Sequence, residues 1–484
     1  MTIQEEQINA LNESTIKAAR LIREIASEEK SVYMLSHLDA DGLAAASIMA
    51  KALFRSGVLF HVRIQQWIDQ KTLEEILAKK PSLTILTDLG SGYLELLTEK
   101  LADYNVIILD HHQPIGEASD NFIHVNPHLY GIDGSRDLSG AGIAYLVAKA
   151  LDKNNVDLAC MAIVGSLGDL QDKYNQRALG GINEIIVKDA VQEGYLTVEK
   201  DPIFFGRETR PIHKALANTT SPFIPGISGE EDKAAAFLMS LGIKLKEEDK
   251  WRALRDLSED EKTRLCSSLA DYLISKGFSS NVLSLVGYVY TLVKEEPWTP
   301  LRDAREFAVL LNATGRMDKP SLGIAVGMGD RSESLEEAMT VLEEYRRTIT
   351  KYMSWLFEDP NRIEELENIY VVRGEKTIND KIIGTLSSIL SMNLPKQEKP
   401  VVAYAIVPEE GVAKVSARTV DLLTYKGVNL GEVMRLAAEK FSGRGGGHNV
   451  AAGAQVPIEN IDSFMKLVDK LVKEQLTGEP SFGS

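Results

Sequence analysis

Four short apolar runs in the first 170 residues each end on acids or histidines, and this placement restricts the fold more than any other feature. Residues 32–36 run into His37-Leu38-Asp39-Ala40-Asp41-Gly42, residues 83–87 into Asp88, residues 106–109 into Asp110-His111-His112, and residues 159–167 into Gly168-Asp169. Between them lie stretches with helical spacing: 43–53, closed by Ser56-Gly57, then 73–78 and 94–101. Residues 59–65 and 122–125 read as strands like 32–36, 83–87 and 106–109, 159–167 as a buried segment, helix or strand, and 5–29 as an amphipathic helix with Ile8, Leu11, Ile16, Ala19, Ile22 and Ile25 near one stripe. Strands alternating with helices predict an α/β domain with a doubly wound, mainly parallel sheet. Ligands of such sheets bind beyond the carboxyl ends of the strands, where these clusters fall.

The residue types define the chemistry. Histidine and aspartate without thiolates suit Mn²⁺, Zn²⁺ or Mg²⁺. Two ions about 3.5–4 Å apart need a bridging carboxylate and several terminal ligands. Asp39, Asp41, Asp88, His111 and Asp169 would supply them, with His37 and His112 nearby. Asp39 and Asp41, two apart on extended chain, would face the same way. One such Asp is equally a helix cap; four acidic sites plus a histidine pair, all at run ends, point to a metal site.

At 484 residues the chain is too long for one core and suggests two to four domains. No apolar run reaches membrane-spanning length, and residues 1–30 carry Glu and Lys at helical spacing without a signal-peptide core. Cys160 and Cys266, the two cysteines, fit a reducing cytoplasm, Cys160 as a core filler. A net charge of −16 counts against polyanion binding over the whole surface, yet leaves room for a local basic groove.

Ser139-Gly140-Ala141-Gly142 opens a helix whose N-terminus could receive a phosphate through Ser139, or simply start a closely packed helix. The organisation read from the chain is 1–200, the α/β domain with its N-terminal helix; 201–367, a connector and mainly helical insert; 368–475, a smaller α/β domain; and 476–484, a frayed tail. Trp251, Trp298 and Trp355 read as core or interface anchors rather than ligand stackers. In the last domain Lys414, Ser416 and Arg418 alternate along one strand face, and Arg444-Gly445-Gly446-Gly447-His448 forms a glycine loop whose amides can converge on an anion. Together they read as a phosphate clamp.

His37-x-Asp39-x-Asp41-Gly42, Asp88, Asp110-His111-His112 and Asp169 resemble the successive motifs of the DHH phosphoesterase superfamily, over residues 30–190. Gly445-Gly446-Gly447-His448 resembles the signature of its associated C-terminal substrate domain, over 368–475. Within the superfamily the chain is similar to archaeal RecJ-like single-strand exonucleases, a group that includes a nuclease associated with the replication factor GINS. The resemblance implies cleavage of phosphodiesters from an end of single-stranded DNA or RNA with two divalent ions, Mn²⁺ first and Mg²⁺ or Zn²⁺ as alternatives. It implies that Asp88 bridges the ions, that Asp41, His111 and Asp169 complete one shell, and that Asp39 with His37 holds the other. Asp110 would orient a histidine, and His112 would contact the scissile phosphate or help move a proton. Ser416, Arg418, Arg444 and the glycine loop would hold the substrate backbone, and the insert would dock GINS or another replisome protein. Two rival readings stay open: a phosphodiesterase of small substrates (oligonucleotides, cyclic dinucleotides or nucleoside bisphosphates), and a replisome adaptor whose work is binding.

Overall fold

The computed structural model describes residues 3–173, 177–219, 222–394 and 397–478. α1 (Glu5–Ser27) leads into β1 (Val32–His37), α2 (Ala40–Arg55), β2 (Phe60–Gln65), α3 (Gln70–Lys79), β3 (Leu83–Thr87), α4 (Leu94–Leu101), β4 (Val106–Leu109) and β5 (Phe122–Val125). These five strands form one sheet in the order β2-β1-β3-β4-β5, and every pairing is parallel. β3 and β4 are buried throughout, as continuous apolar strands covered on both faces must be. Tyr33, Leu35, Leu86 and Ile108 pack with Leu73 and Ile76 of α3 and Leu94, Leu97 and Leu101 of α4. The other face carries α1, α2 and α5 (Gly140–Leu151), with α6 (Ala159–Gly168) packed on α2 and α5. In this strand order the switch point lies between β1 and β3, where the crossovers leave in opposite directions and open a crevice.

α7 (Gly181–Gln192) and β6 (Leu196–Pro202) follow. The chain then builds a small helical body from α8 (Ile212–Ala217), α9 (Glu231–Ser240), a hairpin of β7 (Lys246–Glu247) and β8 (Lys250–Trp251), and α10 (Glu259–Ser275). This body has its own core, including Phe204, Leu216, Leu238, Leu265 and Leu269. β9 (Val286–Leu292) closes it by pairing antiparallel with β6. α11 (Ala304–Arg316) and α12 (Pro320–Met328), read from sequence as part of the connector and insert, pack on α2 and α6 instead. Gly315 permits this closeness, since a Cβ there would overlap the Leu38 carbonyl oxygen. None of Trp251, Trp298 and Trp355 is a buried core residue: the first two are half-exposed, and cations cover all three rings, Lys246 and Arg255 at 4.4 Å and Arg362 at 4.3 Å. A cation on the ring face stabilises an aromatic at the surface without burying it.

Two compact units divide the chain, Met1–Leu342 and Glu343–Ser484, and the division falls within α13 (Glu333–Glu358). The second unit contains β10 (Ile363–Glu365), β11 (Tyr370–Glu375), α14 (Ile383–Asn393), β12 (Val401–Val407), β13 (Val412–Arg418), α15 (Asp421–Tyr425), α16 (Leu430–Lys440), β14 (Arg444–Gly447), β15 (Ala451–Pro457) and α17 (Ile461–Thr477). Its sheet runs β10-β11-β12-β13-β15-β14 and is antiparallel except for β11 against β12. β13 alternates: Ala413, Val415 and Ala417 enter the core with Val433 and Phe464, while Lys414, Ser416 and Arg418 take the opposite face. The end of the tail, 479–484, lies outside the described residues.

Candidate metal centre

Three of the sequence clusters lie at the carboxyl ends of β1, β3 and β4, and the fourth brings Asp169 to them from the C-terminus of α6. His37 ends β1. Asp39 and Asp41 do not alternate along one strand as their spacing suggested: Asp39 keeps extended backbone beyond the end of β1, but Asp41 does not. Asp39 caps α2, accepting from Gly42 N at 3.1 Å, and Asp41 lies in the first helical turn. The backbone turns early because this cap satisfies a helix-start N–H that a strand would have paired elsewhere. Asp88 follows β3 in the left-handed region, φ +54°, and is 1 % exposed.

Asp88 stands between two histidines. Its Oδ1 is 3.2 Å from His111 Nε2, and its Oδ2 is 3.6 Å from His37 Nδ1. Two candidate ligand groups result, Asp88 with His111 and His112, and His37 with Asp39 and Asp88, each with ligand atoms within 4.8 Å of one another. Asp88 belongs to both. His112, assigned from sequence to the phosphate, falls in the first group. Asp41 and Asp169 flank His111, Asp41 Oδ2 3.8 Å from Nε2 and Asp169 Oδ2 3.8 Å from Nδ1.

Hydrogen bonds orient the rings. His111 Nδ1 donates to Gly134 O at 2.6 Å, turning Nε2 toward Asp88. His112 Nδ1 donates to Asp110 Oδ1 at 2.7 Å, and Asp110 Oδ2 accepts from Ser91 N. Asp110 thus sits where sequence placed it, behind a histidine. Asp41 accepts from Gly140 N at 2.7 Å and Ala141 N at 3.1 Å, the first amides of α5. That helix N-terminus is therefore taken by a carboxylate rather than open to a phosphate. Ser139 is fully buried, its hydroxyl accepting from Gly142 N and paired with Ser166, which corrects its reading as a phosphate ligand.

The electrostatics call for a cation. Burial and the neighbouring Asp88 carboxylate push Asp41 well above the usual carboxylate range, and burial likewise raises Asp169. Burial opposes charge on His37, but Asp39 and Asp88 overcome it and push His37 up to about 10. Burial also opposes charge on His111, and Asp169, Asp88 and Asp41 overcome it. The site thus gathers protons to offset its carboxylates, and a divalent ion would do the same more compactly. Among the described residues, buried His37 Nδ1 and Asp88 Oδ1 make no well-aligned hydrogen bond; each faces only another candidate ligand, Asp39 Oδ2 at 3.1 Å and His111 Nε2 at 3.2 Å. The donor set, imidazole and carboxylate, fits Mn²⁺, Mg²⁺ or Zn²⁺.

The remaining candidates lie in the second unit. Ser416 Oγ is 3.0 Å from Ser387 Oγ, Arg418 Nε donates to Ser388 Oγ at 2.9 Å, and Lys414 Nζ pairs with Asp380 at 3.0 Å. All three thus meet the segment leading into and along α14. The glycine run is a short edge strand, β14, rather than a loop, with Arg444 exposed at its start and His448 half-buried just after it. A Cβ at Gly445 would overlap Met434 O, whereas one at Gly446 would meet nothing within 4 Å. Sequence reasoning missed the Gly140 and Ala141 amides, the Gly134 carbonyl, Gln171, and Asn312, whose Oδ1 accepts from Ala40 N at 3.1 Å. Main-chain donors carry no residue signature; Gln171 alone had a visible cue, two residues after Asp169.

Comparison with known proteins identifies the domains that carry these residues. Residues 31–165 match the N-terminal domain of the DHH family, 204–286 the DHH-CID domain, and 367–474 the DHHA1 domain. An uncharacterized protein of Methanocaldococcus jannaschii is 33 % identical over 468 residues, covering 95 % of this chain and 98 % of the relative. The single-stranded-DNA-specific exonuclease RecJ of Bacillus subtilis is 22 % identical over 475 residues, 96 % of this chain but 48 % of that protein, so the chain spans about half its length. The fold is shared with RecJ in complex with Mn²⁺ from Thermus thermophilus (TM-score 0.59, 19 % identity, 95 % of this chain and 55 % of that one). It is also shared with CDC45 from Entamoeba histolytica (TM-score 0.63, 13 % identity, 96 % and 99 %). The chain belongs to the DHH family, with a RecJ-like fold that carries the DHH, DHH-CID and DHHA1 domains in that order.

Proposed function

We propose that this chain is a metal-dependent phosphodiesterase that hydrolyses single-stranded nucleic acid from an end, with two divalent ions, Mn²⁺ foremost. The observation that carries the reading is the membership of Asp88 in both ligand groups, the position a bridging carboxylate needs. His37 and Asp39 would hold one ion, His111 with Asp41 and Asp169 the other, and His112 lies close enough to join it. Bound ions would lower the pKa of water and offset charge on the entering and leaving oxygens. The residues of the chain hold the geometry: Asp110 fixes the His112 ring beside Asp88, and the α5 amides fix Asp41. Ser416, Arg418, Arg444, Gly445, Gly446, Gly447 and His448 would grip the strand backbone, DNA or RNA. Arg444→Ala should then raise KM about tenfold with kcat little changed, in steady-state assays on a labelled strand; a large fall in kcat at saturating substrate would contradict that role.

The curated RecJ relative bears a single-strand-specific name, and two candidate ligand groups meet at Asp88 here, which supports turnover over an adaptor role. The helical insert, with exposed Ile274, Phe278 and Leu283, would dock a replisome protein such as GINS. Two unpaired cysteines fit a cytoplasmic setting. The test is degradation of matched end-labelled DNA and RNA strands with Mn²⁺, and with EDTA as control. Ladders that form with Mn²⁺ and vanish with EDTA are expected. Binding without turnover would favour the adaptor, and turnover confined to very short oligomers the small-substrate enzyme.

A further inference from the structure

We propose that Gln171 is a positioning residue that aligns two metal ligands at once, an inference that rests on the metal-centre reading above. Gln171 is 1 % exposed, just past the end of α6. Its Nε2 has two hydrogens and uses both: one reaches Asp169 Oδ2 at 3.0 Å, the other Gly134 O at 2.9 Å. Gly134 O also accepts from His111 Nδ1, so one amide group touches a carboxylate ligand directly and a histidine ligand through a shared carbonyl. Gln171 Oε1 accepts from Asn183 Nδ2 at 2.7 Å, and Asn183 Oδ1 accepts from Ser166 Oγ at 3.1 Å. The amide therefore cannot flip without breaking all three bonds. Gln171 N donates to Ser166 O at 3.0 Å, and Arg305 Nε holds the adjacent Asp172 at 3.0 Å, which pins the segment from both sides. A neutral donor suits the place, because a cation would compete with the ions and a carboxylate would repel Asp169.

The geometry predicts weaker metal binding rather than altered chemistry when this amide is lost. The test is calorimetric titration of the full chain with Mn²⁺ alone. Gln171→Met, of similar length but without the amide, should raise the Mn²⁺ Kd about 10–100-fold. Gln171→Glu, which keeps the acceptor toward Asn183 and loses the donors, should do the same if the Met variant fails to fold. Excess Mn²⁺ should restore kcat. Added to Asp169→Asn, Gln171→Met should cost less than it does alone, since the two act through one contact. An unchanged Kd in a folded Gln171→Met protein, or full additivity with Asp169→Asn, overturns the proposal. Wild type that binds no Mn²⁺ overturns it together with the metal centre. Gln171-dependent Mn²⁺ binding without strand cleavage supports it while removing the exonuclease reading.

Discussion

Asp88 combines a left-handed backbone, near-complete burial and proximity to two imidazoles in one residue. Asp and Asn tolerate that backbone better than other side chains with a Cβ. Asp88→Asn should therefore keep the fold while removing the charge two ions would share. We expect kcat/KM on a labelled strand to fall by roughly 10³-fold or more, about 4 kcal/mol of barrier, with the thermal melt unchanged. Near-wild-type turnover would sink the two-ion reading. At this scale the sequence showed the acids and histidines, because metal chemistry selects residue types. It could not show that Ser139 is spent inside the protein, since a hydroxyl that caps a helix and one that binds phosphate are the same residue.

At the scale of elements, β3, β4 and β5 follow their apolar runs residue for residue; β3 and β4 are buried throughout, and the edge strand β5 leaves Ile123 and His124 half-buried. The helix after β1 begins earlier than expected, as its start depends on the Asp39 cap and not on apolar spacing. The glycine run shows the limits of composition. Gly445 is required by the closeness of α16, while Gly446 faces open space. Gly445→Ala should cost about 1–3 kcal/mol in urea unfolding of the chain, as an overpacked site does. Gly446→Ala should stay within about 0.5 kcal/mol and instead raise KM for a strand that runs along this edge. Equal stability of the two variants would contradict the packing argument.

Across the first unit as a whole, Glu306 of α11 accepts from Glu208 N at 2.9 Å and from Thr209, tying the helix that backs the metal centre to the entrance of the helical insert. Burial, then the Asp303 carboxylate, push Glu306 up to about 7 from an ordinary 4.5. A raised folded pKa means the protonated form is favoured, so its stabilising contribution is full below pH 4.5 and lost as pH rises through 7. Glu306→Gln should therefore melt about 2–4 °C above wild type at pH 8, with the difference vanishing below about pH 5. A variant no more stable than wild type at pH 8 would show that the ionised carboxylate is not penalised. The sequence by itself determined the strands of the first sheet, the order of the domains and the acids and histidines of the candidate metal centre, because burial and coordination both act on residue type at fixed spacing. Only the tertiary structure decided that Asp88 lies between two histidines, that backbone amides of α5 hold Asp41, that α11 and α12 return to α2, and that Gln171 bridges Asp169 and Gly134. Those facts depend on which distant segments meet, and contacts across a hundred residues of chain leave no periodic trace along it.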